Sequence, residues 1–259
     1  MRDMGSVLVA YSGGVDSAYL ALIARQELQD RALCVLGLSP SVASVQEEDA
    51  RRIAEDFGFD LTTIKTEELS DPNYQANPSN RCYFCKSELY GKLSAMAAEL
   101  GYGVVADGTN SDDLTDHRPG RLAASERSVR SPLAEVGLSK AEIRTLSRKH
   151  NLPTWDKPAS PCLASRISYG VPVTIERLSK VERGEAVLRG LGYREFRVRV
   201  HGEIARIEIS RDELHRALSL DSAKVFSDEF KKIGFRYVTL DLEGYRTGAM
   251  NEVLSKGSI

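Results

Sequence analysis

The sequence predicts an α/β protein, with a parallel-sheet domain over residues 1–168 and a smaller α+β domain over residues 169–259. Three observations predict it. Up to residue 107, short apolar runs alternate with stretches of helical periodicity, and strands separated by single helices form a parallel sheet with right-handed crossovers. The first apolar run ends in Ser12-Gly13-Gly14, a glycine turn set between a strand and a helix. Beyond about residue 170 the rhythm changes to a charged helix followed by alternating strands. A hydrophobic content of 42% in 259 residues is enough for a sizeable core.

In order, residues 6–10 read as the first strand, 16–29 as a helix and 31–38 as the second strand. Residues 45–57 form a helix whose Ile53 and Phe57, four apart, share a face. Residues 61–65, 84–100 and 104–107 continue as strand, helix and strand. In such sheets ligands bind beyond the carboxyl ends of the strands. In the second domain residues 174–191 form a helix. Phe196, Val198 and Val200 then alternate with Arg197, Arg199 and His201, so a strand turns the apolar three to one face and the cationic three to the other. His201-Gly202 marks a tight turn, and Ala205, Ile207 and Ile209 supply a second apolar face. Helices over 212–218 and 223–233 lead to a strand over 236–242.

The net charge of −2, with acids and bases mixed along the chain, gives no global attraction to nucleic acid or to an anionic membrane. The apolar run at the N-terminus is too short for a signal peptide, and no stretch approaches the roughly 20 apolar residues of a membrane span. A cytoplasmic protein is expected. Four cysteines are too few for a secreted disulfide scaffold. Cys34, within an apolar run, reads as a small buried hydrophobe, whereas Cys82, Cys85 and Cys162 sit in polar, turn-rich sequence.

Ser12-Gly13-Gly14-Val15-Asp16-Ser17 carries the clearest chemistry. The glycines let successive N–H groups converge on an anion, and the helix N-terminus adds about half a positive charge. Ser12 and Ser17 can donate to phosphate oxygens, and Asp16 can hold a magnesium ion. The glycine-lysine-serine ending of a Walker loop is absent; the hexapeptide resembles the signature of the pyrophosphatase-loop family, which clamps the β and γ phosphates of ATP and releases them together. The competing reading is a plain serine-capped glycine turn. Asp107-Gly108-Thr109-Asn110-Ser111-Asp112-Asp113 follows the fourth strand at the same sheet edge, and is either a helix-capping turn or a set of ligands for magnesium, α-phosphate or substrate. Arg118 and Arg121 either add cations to those phosphates or are solvated.

Cys82-Tyr83-Phe84-Cys85 pairs two thiols at a spacing that suits a soft metal or an iron–sulfur cluster, with Cys162 as a third. Structural zinc would want a fourth ligand, and neither His117 nor His150 stands at a zinc-like spacing. A redox dithiol is a further alternative. Tyr83 and Trp155 could stack on a ligand ring or simply fill the core.

Taken with NRCYFCK, DGTNSDD, PASPCLASRI, FRVRVHGEIARIEI and GYRTGAMNE, the hexapeptide makes nearly the whole chain resemble the ATP-dependent sulfur transferases of nickel-pincer (lactate racemase) cofactor biosynthesis. The resemblance implies an adenine-nucleotide α-hydrolase-like fold and use of ATP and magnesium. It implies adenylation of a carboxylate of pyridinium-3,5-biscarboxylic acid mononucleotide, a nicotinate-derived substrate, followed by exchange of its oxygen for sulfur. Catalytic roles fall on Cys162, Asp16 and Arg166, and nucleotide binding on Ser12, Gly13, Gly14, Asp16, Ser17, Asp107 and Thr109. Arg197, Arg199, Arg246 and Glu185 would serve the substrate and its phosphate. One branch of the family sacrifices the sulfur of the cysteine matching Cys162. Another holds a four-iron, four-sulfur cluster on three cysteines, matching Cys82, Cys85 and Cys162, and that branch is the expectation here. A homohexamer is implied as well. For Arg197 and Arg199 the alternation by itself is equally consistent with a solvated outer sheet face, and Glu185 is by periodicity one of several surface carboxylates.

Three rival functions share these features: an RNA thiolation enzyme, disfavoured by the near-neutral charge and the lack of an added basic domain; a nitrogen-transferring ligase with structural zinc; and a non-catalytic adenine-nucleotide sensor, disfavoured by the retained Asp16 and loop serines.

Overall fold

The computed structural model describes residues 1–115 and 118–246. His117 and residues 247–252 of the GYRTGAMNE motif lie outside that set. Two compact units emerge: residues 1–74 with 80–160, and residues 75–79 with 161–259.

The first unit is built on a four-stranded, all-parallel sheet in the order β3-β2-β1-β4. Its strands are β1 (Val7–Tyr11), β2 (Ala32–Leu38), β3 (Leu61–Lys65) and β4 (Val104–Ala106). Val7 faces Ala32 on one side and Val104 on the other, so β1 is central. Val7, Leu8 and Val9 are fully buried, the continuous apolar run expected of a parallel strand covered on both faces. Side-chain alternation sorts the cover. Val7, Val9 and Tyr11 join a core with α1 (Val15–Leu28) and α2 (Ser44–Asp56). After the short α3 (Pro72–Gln75) comes α4 (Arg81–Leu100), and Leu8 joins its Tyr90, Leu93 and Ala97. α5 (Gly120–Glu126) contributes Ala123 and Ala124 to that second core. α6 (Pro132–Glu135) and α7 (Lys140–Lys149) return to the first face, through Leu133 and Ile143.

Strands and early helices fall within a residue or two of expectation, except that α4 starts three residues before the predicted 84. Arg81, Cys82 and Tyr83 are too few to show an apolar period of their own. α5 to α7 occupy a stretch with no predicted element. α7 has a signal of its own, the capping box in which Ser139 accepts from Glu142 N and Glu142 returns to Ser139 N.

In the second unit α8 (Ile175–Gly190) precedes a hairpin of β5 (Phe196–His201) and β6 (Ile204–Ile209). α9 (Arg211–Ala217), α10 (Leu220–Ile233) and β7 (Tyr237–Leu240) follow, β7 running parallel to β6. The hairpin pairs Phe196 with Ile209, Val198 with Ile207 and Val200 with Ala205, so the two predicted apolar faces are one surface. A Cβ on Gly184 of α8 would stand 3.1 Å from Val198 and 3.0 Å from Phe230, which is how closely the helix lies on that surface. The opposite face holds Arg197, Arg199 and Glu208, all buried, so it is not a solvated outer face. Among the described residues no helix is long and apolar enough to cross a membrane.

His201, at the end of β5, keeps its proton-binding nitrogens poorly served: Nδ1 lies 3.4 Å from Ser168 Oγ, and Nε2 is buried with no partner. Burial, followed by Arg206 and Arg199, lowers its pKa, with Glu208 opposing. An unfolded chain then takes up this proton at higher pH than the folded one. Stability contributed by neutral His201 is present above about pH 6.5 and falls as pH drops toward the folded pKa. Urea midpoints at pH 7.5 and 5.5 should show a loss in the native chain that is smaller in His201→Asn.

Candidate active site

The switch point of the sheet lies between β1 and β4, where successive crossovers leave in opposite directions, the place where ligands bind in open parallel sheets. Both signature loops issue there. Gly13 adopts a φ of +70°, and a Cβ on it would stand 2.6 Å from the Ala50 Cβ, so no other residue fits. Ser12 Oγ and Ser17 Oγ lie 3.0 Å apart, and Ser17 Oγ donates to Gly14 O at 3.1 Å. Gly14 caps α1 with no side-chain hydrogen bond, which leaves the first-turn N–H groups for an anion. From the β4 side, Gly108 comes so close to α1 that an added Cβ would be 2.9 Å from Ser17 N.

Asp107 is buried and accepts from Tyr90 Oη (2.7 Å), Ser131 Oγ (2.8 Å), Thr109 Oγ1 (3.0 Å) and Thr109 N (3.1 Å). With four donors on it, Asp107 holds the loop in shape and ties it to α4. Tyr90 has its pKa raised well above the phenol range, by burial first and then by the Asp107 charge it faces. Buried Asn110 accepts from Asp112 N and Asp113 N, and its Nδ2 donates to Asp16 Oδ1 at 3.3 Å. Asp16 Oδ2 pairs with Lys140 Nζ. Arg118 pairs with Asp113 at 2.8 Å, and Arg121 donates to Leu114 O at 3.0 Å, so both arginines brace this loop.

Cys82 and Cys85 lie at the start of α4, the former exposed and the latter half-buried. Tyr83 between them donates to Glu126 at 2.8 Å and sits edge-on to Phe84. Trp155 lies beneath the Arg148 guanidinium, 4.7 Å from its ring centre. Cys34 is buried, and desolvation with help from Asp60 pushes its thiol up to about 12, as befits an inert core thiol.

The second unit assembles the remaining expected residues. Cys162 precedes a single 3-10 turn, Leu163–Arg166. The Arg166 side chain is 2% exposed, and Nε and Nη2 meet the two Glu185 oxygens at 2.8 and 3.3 Å. Its Nη1 donates to Pro161 O (2.7 Å), Ser165 Oγ (2.8 Å) and Cys162 O (3.1 Å), so the guanidinium clamps the backbone that carries the thiol. Arg199 meets Glu208 through Nε at 3.0 Å and Nη2 at 2.9 Å, and reaches Ser165 O at 2.9 Å. Arg197 lies 4.6 Å from the Tyr245 ring centre. Burial, then Arg166 and Arg199, lower its pKa, with Tyr245 and Glu185 opposing. Arg246 pairs with Glu243 at 2.5 Å.

The first unit therefore brings Ser12, Gly13, Gly14, Asp16, Ser17, Asp107 and Thr109 to one sheet edge, and holds Cys82 and Cys85. The second gathers Cys162, Arg166, Glu185, Arg197 and Arg199. Among the described residues no three His, Cys, Asp or Glu side chains form a group that could hold a metal ion. Sequence reasoning missed Glu208, Tyr90 and Lys140, and read Asn110 only as part of its loop. Glu208 was findable, since alternation puts it beside Arg206 on the arginine face; nothing in the sequence links Lys140 to Asp16.

No protein-family profile matches the chain. It is 35% identical to the pyridinium-3,5-bisthiocarboxylic acid mononucleotide synthase of Lactiplantibacillus plantarum, over 100% of this chain and 94% of that protein. An uncharacterized protein of Synechocystis sp. is 47% identical over 98% of this chain and 95% of its own length. At greater distance stands a tRNA-specific 2-thiouridylase of Carboxydothermus hydrogenoformans, 25% identical over 71% of this chain and 60% of that protein. The parallel sheet, the paired loops at its switch point and the full-length identity agree: the chain belongs to the pyrophosphatase-loop family of ATP-dependent sulfur transferases that includes the Lactiplantibacillus synthase.

Proposed function

We propose that the protein adenylates a carboxylate of pyridinium-3,5-biscarboxylic acid mononucleotide and replaces the activated oxygen with sulfur, giving the thiocarboxylate used in nickel-pincer cofactor synthesis. Full-length similarity to a synthase of the bisthiocarboxylic mononucleotide carries the reading. In the first step the substrate carboxylate attacks the α-phosphorus of ATP, an oxygen–phosphorus bond forms and pyrophosphate leaves. The clasped Ser12 and Ser17 hydroxyls and the α1 N-terminus receive the β and γ phosphates. Asp16 offers a partly exposed carboxylate at that helix end, a donor set that fits one magnesium ion shared with phosphates, and the ion would offset phosphate charge there. In the second step a sulfur nucleophile attacks the acyl carbon, a carbon–sulfur bond forms, and AMP leaves with the carboxylate oxygen.

Cys162 is the residue through which sulfur arrives, held by Arg166 on Glu185. Arg197, Arg199 and Arg246 bind the substrate's phosphate; an anion beside Arg197 would offset the repulsion it receives from Arg166 and Arg199. Cys82, Cys85 and Cys162 would hold a four-iron, four-sulfur cluster that supplies sulfide; without it, Cys162 gives up its own sulfur. Two thiols on the first turns of α4 support the cluster form. The same reading places the protein in the cytoplasm as a homohexamer.

The test is anaerobic incubation with ATP, magnesium and the biscarboxylic mononucleotide. Substrate-dependent pyrophosphate and a product heavier by the exchange of one oxygen for one sulfur are expected. Thiolation of tRNA in place of the mononucleotide would replace this reading with that of the distant thiouridylase. Metal and acid-labile sulfide analysis distinguishes the sulfur sources: about four irons per chain indicate the cluster, and loss of one sulfur from the protein's mass after turnover indicates Cys162 itself.

A further inference from the structure

Tyr90 belongs to no motif on which the functional reading rests, yet it joins the helix of two thiols to the signature loops. Its ring is core, 2% exposed and packed with Leu8, Leu93 and Ala97. Its hydroxyl leaves that apolar company to donate to Asp107 Oδ2 at 2.7 Å. Asp107 opens the β4 loop, in which a Cβ on Gly108 would stand 2.9 Å from Ser17 N and Asn110 Nδ2 donates to Asp16 Oδ1 at 3.3 Å. Contacts therefore run from Tyr90 through one carboxylate to the signature hexapeptide. On the other side Lys86, one turn earlier on the same face of α4, sets its ammonium 5.3 Å from the Tyr90 ring centre. Cys85 precedes Tyr90 by five residues, about 7.5 Å of helix axis, and over that span an α-helix moves as one body.

We infer that Tyr90 is a positioning residue, through which the ordering of the signature loops by ATP is shared with the turns of α4 that carry Cys82 and Cys85. This deepens the proposed function and rests on its placement of ATP at the Ser12–Ser17 loop. The division of donors around Asp107 gives the reason. Thr109 N, Thr109 Oγ1 and Ser131 Oγ come from the β4 loop and the start of α6, whereas the Tyr90 hydroxyl comes from α4. Without it the buried carboxylate still holds three hydrogen bonds, so the nucleotide site keeps its form. What goes is a charge-assisted bond between helix and loop, among the strongest class of hydrogen bond. Apolar contact is non-directional and fixes a helix less sharply. A reacting atom misplaced by about 1 Å can cost about a hundredfold in rate, so the sulfur step depends on that fixing more than adenylation does.

Hydrogen–deuterium exchange of the full chain, read by peptide mass spectrometry, tests this with Tyr90→Phe and Ser131→Ala, each first shown by thermal melting to be folded. Phenylalanine keeps the ring in its core, and Ser131→Ala removes an Asp107 donor that α4 does not supply. The probe is the magnesium complex of α,β-methylene ATP, which resists cleavage where pyrophosphate leaves. In the native chain and in Ser131→Ala it should slow exchange several-fold both in residues 12–20 and in residues 82–90. In Tyr90→Phe residues 12–20 should still be protected, while 82–90 stay within about twofold of their nucleotide-free rate. A residue that merely supported the fold would raise exchange with and without nucleotide alike. In turnover, thiocarboxylate formed per pyrophosphate released should fall about tenfold in Tyr90→Phe. The role of Tyr90 would be overturned by an unchanged product ratio, or by protection of 82–90 that survives in Tyr90→Phe, vanishes equally in Ser131→Ala or is absent from the native chain. Protection of 12–20 would in each case leave the functional reading standing. A native chain whose residues 12–20 gain no protection would remove the ATP reading itself.

Discussion

On the proposed function, replacing Cys162 by alanine should lower thiocarboxylate formation by at least about a thousandfold, because the variant keeps the residues proposed to activate the carboxylate and lacks the one through which sulfur is proposed to arrive. Geometry sharpens the expectation. The thiol opens a 3-10 turn whose backbone Arg166 pins through Pro161 O and Cys162 O, so the side chain is presented from a rigid base. Alanine is tolerated at that half-buried position without disturbing the clamp, and the melting temperature should stay within a few degrees of the native value. Serine fits the same space but neither carries sulfur nor replaces a thiolate ligand, so Cys162→Ser should be as inactive. Single-turnover assays with mass detection of the thiocarboxylate read the effect. Product formed by Cys162→Ala at more than a tenth of the native rate would show that sulfur reaches the acyl carbon by another route.

Glu185→Ala should cost about 3–5 kcal/mol of stability, the largest effect expected of a single substitution in the second unit. Removing this carboxylate strands the Arg166 guanidinium, whose side chain is 2% exposed, and takes an acceptor from Val198 N at 3.4 Å. The penalty is mostly that of an uncompensated buried charge rather than the net worth of the pair. Two companion variants separate those terms. Glu185→Gln keeps a neutral acceptor and should lose roughly half as much. Arg166→Met combined with Glu185→Leu should be less damaging than Glu185→Ala, because both charges leave together. Urea denaturation of the three proteins provides the comparison, and a loss below about 1 kcal/mol for Glu185→Ala would mean that water reaches Arg166.

The sequence by itself determined the parallel sheet and early helices of the first unit and the position of its glycine loop, but not α5 to α7. Apolar runs such as Val7–Tyr11 and Ala32–Leu38 are local signals, and strand periodicity set Phe196, Val198 and Val200 on one apolar face and Ala205, Ile207 and Ile209 on another, which strand pairing merged into one surface. Such patterns are legible because a side chain's face depends only on the backbone's repeat. Partners distant in sequence were not legible, since ion pairs and hydrogen bonds depend on where elements dock. Tertiary structure alone decided that the arginine face of β5 is buried rather than solvated, because Glu208 from the neighbouring strand is there to compensate Arg199. It alone made Glu185 the counter-ion of Arg166 among several helix carboxylates, and turned Asp107 into a hub by aiming Tyr90 and Ser131 at it. Lys140 reaches Asp16 across 124 residues of chain because α7 docks on α1, a contact set by the shape of the core and by no motif.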